Sequence, residues 1–270
     1  IHIINSIFTN NSSPQGGGAI FSVDSDIYVE NSIFENNYSD VKGGAIYSGV
    51  GSLVVLDKSL LSNNISISHG GAIFMSASST LNVNNSTIVD NSISYEYAFG
   101  AGIYNDGGFA EINNSIIYSN RLEGSESLNY NINGYSQNNF AEYNVSFSDI
   151  EGEEDWVPNG DGNISQNPQF DTGYTLQATS PCIDSGTTDT NGDGIDDILE
   201  FVGLAPDMGA FEWEPYLGDL NADGILDIID VVAMVNTIIA LTYDPLGDMN
   251  NDGIVDIIDI IALINIILDN

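Results

Sequence analysis

The sequence predicts a mainly β chain: a parallel β-helix solenoid followed by a small α-helical module. Three observations predict it. Gly17-Gly18-Ala19-Ile20-Phe21-Ser22 returns as Gly43-Gly44-Ala45-Ile46-Tyr47-Ser48, Gly70-Gly71-Ala72-Ile73-Phe74-Met75 and Gly100-Ala101-Gly102-Ile103-Tyr104-Asn105, at spacings of 26, 27 and 30 residues. A second phrase keeps the same beat, from Asn5-Ser6-Ile7-Phe8 and Asn31-Ser32-Ile33-Phe34 through Lys58-Ser59-Leu60-Leu61, Asn85-Ser86-Thr87-Ile88 and Asn114-Ser115-Ile116-Ile117 to a looser Asn144-Val145-Ser146-Phe147. Near the C-terminus an acidic loop occurs twice, 29 residues apart, and each copy leads into an apolar run.

A repeat in the twenties with β-type residues is the sign of a stacked solenoid. Aligning the copies puts Ile3, Val29, Leu56, Val83 and Ile112 in one column, Phe8, Phe34, Leu61, Ile88 and Ile117 in a second, and Ile20, Ile46, Ile73 and Ile103 in a third. These columns are the expected core. His2, Tyr28, Val55, Asn82 and Glu111 alternate with the first column, so the local period is two and the segments read as strands. Each coil is expected to hold three short strands, with the paired glycines supplying positive φ at a corner. Asn11, Asn37, Asn64, Asn91 and Asn120 form a fourth column, open to two readings: turn residues, or amides bonded from coil to coil.

With 39 Asp and Glu against 3 Lys and Arg, the formal charge is −36, which repels nucleic acid and anionic membranes. Cys182 is the one cysteine, so no intrachain disulfide can form, and a buried inert thiol is expected. The chain opens in mid-repeat at Ile1, which predicts further sequence upstream, with more coils and a signal peptide.

Residues 121 to 143 break the beat with an insertion carrying Tyr130, Tyr135, Phe140 and Tyr143, whose rings either stack on sugars or pin the loop to the coil wall. Glu151, Glu153, Glu154 and Asp155 follow, readable as solvated loop acids or as a paired-carboxylate glycosidase site. Catalysis of the lyase type needs a base beside calcium, and Lys42, Lys58 and Arg121 lie at unrelated points of the repeat, so no catalytic cluster is expected. His69 adjoins the repeated glycine corner and reads as a turn neighbour.

The repeats, closed by Ser180-Pro181-Cys182-Ile183-Asp184-Ser185-Gly186 and Asp207-Met208-Gly209-Ala210-Phe211-Glu212-Trp213, resemble bacterial surface and secreted right-handed parallel β-helix proteins of the choice-of-anchor kind. The resemblance covers residues 1 to about 214 and implies an exported solenoid with a separate anchoring element. The expected division is therefore 1–217 for the β-helix, with a closing segment at about 151–214, and 218–270 for the module.

Calcium loops of the EF-hand kind place oxygen ligands at positions 1, 3, 5, 9 and 12, a carbonyl at 7 and glycine at 6. The first repeated loop fits with Asp219, Asn221, Asp223, Asp227 and Asp230 and the Ile225 carbonyl. The second fits with Asp248, Asn250, Asp252, Asp256 and Asp259 and the Ile254 carbonyl. A third candidate, with Asp189, Asn191, Asp193, Asp197, Glu200 and the Ile195 carbonyl, has no flanking helix and resembles thrombospondin type 3 loops; a metal-free solvated loop is its other reading. Two Ca²⁺ ions would help a module of about 50 residues to fold, and calcium supply points to an extracellular or cell-surface protein.

Residues 218 to 270 resemble a dockerin, which implies a cohesin-type protein partner. Loop positions 10 and 11, where many dockerins carry polar partner-reading residues, are Ile228, Ile229, Ile257 and Ile258 here. The apolar residues of both following segments circle most of each helix, so one face is expected to pack between the helices and a second to meet either a partner or the solenoid. The functional expectation is a non-catalytic scaffold, adhesion or glycan-contacting protein held by a calcium-dependent anchor. The alternative is a fragment of a dockerin-bearing polysaccharide lyase or glycoside hydrolase.

Overall fold

Inward residues at every second position demand coils stacked in register, and a computed structural model, which describes residues 1–125, 131–134, 141–152 and 158–269, has that arrangement. Among the described residues, the strands make two six-stranded and two five-stranded sheets, each pairing a strand only with its counterparts in adjacent coils, always parallel. Two strands fix the registers. Asp26–Glu30 sets Val29 opposite Ile3 and Leu56, and Ile33–Glu35 sets Phe34 opposite Phe8 and Leu61. Ile46 likewise stands between Ile20 and Ile73. The three expected columns are thus the core: Leu56, Leu61, Ile73, Ile88 and Ile112 are fully buried. Phe8 and Phe34 stack with ring centroids 4.7 Å apart, the separation of neighbouring strands.

The expectation of three strands per coil is corrected to four. The additional strand is only two residues long, as at Tyr38–Ser39 and Ile65–Ser66, and follows directly on the asparagine column. Asparagine is what holds so short a strand in place. Asn64 is fully buried. Its Nδ2 donates to Asn91 Oδ1 and to the Phe34 carbonyl, both at 2.9 Å, and its Oδ1 accepts from the backbone and side-chain nitrogens of Asn37. The same set recurs at Asn91, so the ladder reading of the column holds. A buried amide must find all its partners inside the protein, and an identical coil presents them at one strand spacing.

A second ladder runs through the serines of the Asn-Ser phrase: Ser59 Oγ accepts from Ser32 N–H, Ser86 Oγ from Ser59 N–H and Ser115 Oγ from Ser86 N–H. The residues before those serines, Asn5, Asn31, Lys58, Asn85 and Asn114, turn the corner with φ between 45° and 50°. Asparagine tolerates that left-handed backbone better than other side-chain-bearing residues. At the glycine corner, Gly43 has φ 66°, and a Cβ there would lie 2.2 Å from the Ile46 carbonyl oxygen. No other residue fits.

Asn131 ends the asparagine ladder: its Oδ1 accepts from Asn120, and its Nδ2 donates to the Glu151 carbonyl and carboxylate. Beyond Ile150 the coils stop. Ile164 bridges to Asp149 over the last coil, and the chain then returns along the outer side of the second sheet. Leu176, Cys182 and Met208 pack on Ile116, Asn114 exchanges hydrogen bonds with Thr187, and Ala210 N–H reaches Thr87 Oγ1. The closing segment is therefore a lateral strap; Leu60–Ser62 and Thr87–Val89 of this sheet are buried on both faces, whereas Ile7 and Thr9 of its first strand stay exposed.

Helices α1 (Ile228–Ala240) and α2 (Ile257–Asp269) follow, sharing a separate core of Val231, Met234, Val255, Ile260 and Leu263. No helix is long and apolar enough to cross a membrane among the described residues.

Candidate functional site

Glycine at the sixth position of each repeated loop lets the backbone fold over its first aspartate. Gly224 and Gly253 have φ of 77° and 86°. Asp219 accepts from the N–H groups of Asp223 and Gly224, and Asp248 accepts from those of Asp252 and Gly253. At the other end, Asp230 turns back to accept from Asn221 and Asp227 N–H, as Asp259 does from Asn250 and Asp256. Between them, Asn221 donates to the Asp223 carboxylate and Asn250 to that of Asp252. The two loops share all of these bonds, with Asp248 alone accepting in addition from the Tyr243 hydroxyl, so the duplication seen in sequence extends to geometry.

Burial separates the ends of each loop from its middle. Asp219, Asp230, Asp248 and Asp259 are at most 3% exposed, whereas Asn221, Asp223, Asn250 and Asp252 are more open to solvent. Neither Lys nor Arg occurs after Arg121, so these four buried carboxylates have no basic side chain within their own part of the chain. A buried carboxylate with only neutral donors is costly, and an added cation offsets that cost. The oxygen-rich donor set is of the kind a hard cation such as Ca²⁺ takes, to which Ile225 and Ile254 would add carbonyls. Among the described residues, however, no three acidic, histidine or cysteine side chains are gathered closely enough to enclose a metal ion. Their oxygens point to loop N–H groups.

Asp227 has a role that the ligand pattern did not suggest. Its carboxylate caps α1 by accepting from Ile229 N–H, and Asp230 returns the bond to Asp227 N–H, a capping box. Asp256 and Asp259 repeat it on α2. The signal was present in the sequence as two acids three residues apart immediately before an apolar run.

The third loop shares only the first half of this geometry. Asp189 accepts from Gly192, Asp193 and Gly194 N–H, and Asp193 from Ile195 N–H. Its closing carboxylate is Asp197, bonded to Thr190, while Glu200 lies exposed and no helix follows. Without a capped helix to bury the last acid, residues 189 to 200 stay a surface loop.

Ile228, Ile229, Ile257 and Ile258 lie at corresponding places on the two helices and are between 53% and 65% exposed. Val232 and Ile261 extend the same apolar surface one turn on. The opposite faces meet in the shared core, so each helix has two apolar faces and only one is covered.

Other candidates resolve into structural parts. Glu151 accepts from Arg121 at 2.5 Å, from Asn131 and from Ser119 N–H. Burial alone would raise its pKa, but those bonds outweigh it and hold the carboxyl below its ordinary range. Glu153, Glu154, Asp155, Tyr130, Tyr135 and Phe140 lie outside the described residues. Tyr143 donates to the Asn133 carbonyl and packs on the core, so it pins the coil wall. His69 Nδ1 accepts from Phe99 N–H and its ring stacks on Tyr104. Burial, then Lys42, lowers its pKa and favours the neutral ring. Cys182 is buried with its thiol against Asp149 Oδ2, and burial raises its pKa strongly.

Sequence reasoning passed over the outward column Phe21, Tyr47, Phe74 and Tyr104, which stacks ring on ring with Lys42 over Phe74. Each ring directly follows the core isoleucine of the glycine phrase, and period-two alternation would have found it.

Residues 5–23 and 31–49, the first two copies running from the Asn-Ser phrase to the glycine phrase, match the Chlamydia polymorphic membrane protein (Chlamydia_PMP) repeat. No curated protein and no solved structure matches the chain.

Proposed function

We propose that this chain is a non-catalytic, exported β-helix rod, coiled right-handed, whose module 218–270 is a calcium-dependent, dockerin-like anchor for a cohesin-type protein domain. The observation that carries the reading is the pairing, on each half of the module, of two buried carboxylates without a basic partner and an uncovered isoleucine pair beside them. Calcium would offset the first, and a partner surface the second. Similarity of the first coils to a repeat named for a membrane protein supports display at a cell surface. A non-catalytic role agrees with the use of the basic residues: Arg121 is engaged by Glu151 and Lys42 lies over Phe74.

The test is capture from the secretome of the source cells with immobilised chain, with and without chelator. A cohesin-like protein should be retained only with calcium. Ile229→Asp together with Ile258→Asp should abolish that capture while calcium-bound stability changes by less than about 0.5 kcal/mol, since both residues are exposed. Capture that ignores both chelator and substitution would sink the anchor reading.

A further inference from the structure

The two-residue strands share one register, with Ser13, Ser39, Ser66 and Ile93 aligned. From there three coils reach the glycine corner through three residues each, 14–16, 40–42 and 67–69, whereas the fourth takes six, 94–99. The register recovers at once: Gly70 N–H bonds the Phe99 carbonyl as Gly43 N–H bonds that of His69. The added length therefore stands out sideways from the solenoid. Tyr95, Tyr97 and Phe99 are its rings, 51%, 65% and 44% exposed. Single surface aromatics are ordinary, but three on one short insertion make an apolar patch where a shorter corner would have closed the coil.

This corner is pinned at several points. Tyr95 N–H donates to the Ile67 carbonyl at 2.8 Å, Ala98 N–H to the Tyr95 carbonyl at 2.9 Å and Phe99 N–H to His69 Nδ1 at 2.9 Å. Ala98 is fully buried and packs with Ile93 and Ala101. With the backbone held and Ala98 turned in, the rings stay in water instead of folding onto the coil wall. Tyr95 and Tyr97 meet nearly edge to face, with centroids 5.5 Å apart and planes at 68°, which makes a notch; Phe99 lies parallel to His69 at 6.2 Å. Among the described residues, the Tyr95 and Tyr97 hydroxyls and the Glu96 carboxylate between them have no hydrogen-bond partner.

We propose that this corner binds a neutral oligosaccharide, one pyranose ring of which sits in the Tyr95–Tyr97 notch by its carbon face, with hydroxyls on Glu96 and the two phenols. Three half-exposed rings offer about 300 Å². Each partner in a stable protein interface buries about 800 Å², so the fitting occupant is small. Free phenols and a carboxylate among apolar rings suit a ligand that has both hydroxyls and an apolar face. Asp40 and Glu123, at the same corner of other coils, are exposed like Glu96, and Lys42 is engaged over Phe74, so acidic sugars are repelled. The site belongs to the solenoid and is independent of the calcium module, so it can fail while the anchor reading stands.

The test uses the full chain in calcium buffer, titrated with cellohexaose, maltohexaose, mannohexaose and hexagalacturonate by calorimetry and ligand-observed NMR. At least one neutral hexasaccharide should bind saturably in the millimolar range or tighter, with hexagalacturonate at least tenfold weaker. Tyr95→Ala and Tyr97→Ala should each lower that binding at least tenfold and leave the melting temperature unchanged, because both rings are exposed. No saturable binding of any neutral hexasaccharide, hexagalacturonate binding of equal strength, or binding retained in both variants would each overturn the proposal. So would a protein captured by the immobilised chain and lost with Tyr97→Ala, which would assign the patch to a protein partner.

Discussion

In the solenoid a buried Asn64 meets the same residue of the next coil; in the module a buried Asp219 meets only backbone N–H groups of its own loop. Both regions are built by repetition, yet repetition acts differently in each. A coil that stacks on a copy of itself can satisfy a neutral amide completely, because an amide is donor and acceptor at once. A carboxylate is an acceptor only, so a second acidic loop cannot complete the first, and the proposed reading has each completed by a cation from outside the chain. Neutral ladders make a part that sustains itself. Acidic loops, on the proposed reading, make a part that depends on its surroundings.

Chelation is the harshest test of that comparison under the proposed calcium reading. Chelation should melt α1 and α2 while the β signal survives, and two sites each held at about a hundredfold above their dissociation constants account for about 5 kcal/mol. Far-ultraviolet circular dichroism reads both parts, and helical signal that persists after exhaustive chelation would remove the calcium assignment. Within the solenoid, Asn64→Ala should cost about 3 kcal/mol, because Asn37 N–H and the Phe34 carbonyl lose buried partners at once. The same change at exposed Asn144, outside the ladder, should cost under about 0.5 kcal/mol. Equal losses in denaturant melts would mean that the ladder is incidental.

A finer test concerns the one buried carboxylate of the last coil that resembles those of the module. Asp149 is fully buried, accepts from Gln166 N–H and the Cys182 thiol, and its pKa is raised from 3.8 to about 6, chiefly by burial. A raised folded-state pKa means that the ionised form is penalised. The penalty is absent below about pH 4, grows through the window up to 6, and is complete above it. Acidifying from pH 7 to 5 should therefore recover about 1 kcal/mol at this site. Comparing the parent with Asp149→Asn isolates it from the general relief of negative charge. Identical pH slopes in thermal melts would assign the effect elsewhere.

The apolar columns were legible because side chains alternate with period two and coils repeat, so Ile3, Val29 and Leu56 had to share a face once the chain stacked on itself. The paired loops were legible for the same reason: Gly224 and Gly253 recur with identical acids around them. The asparagine column could be aligned, but not its role. Whether Asn64 turns outward to water or inward to its neighbour depends on the register of a two-residue strand that no propensity predicts. The path of the strap was also beyond sequence, since residues 158 to 213 have no period, and the contacts of Leu176, Met208 and Ala210 with Ile116 and Thr87 join positions far apart in the chain. Lys58 shows the division most clearly. Its place in line with Asn5, Asn31, Asn85 and Asn114 follows from spacing alone, but the groove that it lines with Phe211 exists only because the returning strap reaches that side of the solenoid. Local repetition is written in spacing; which distant surfaces meet is decided by packing.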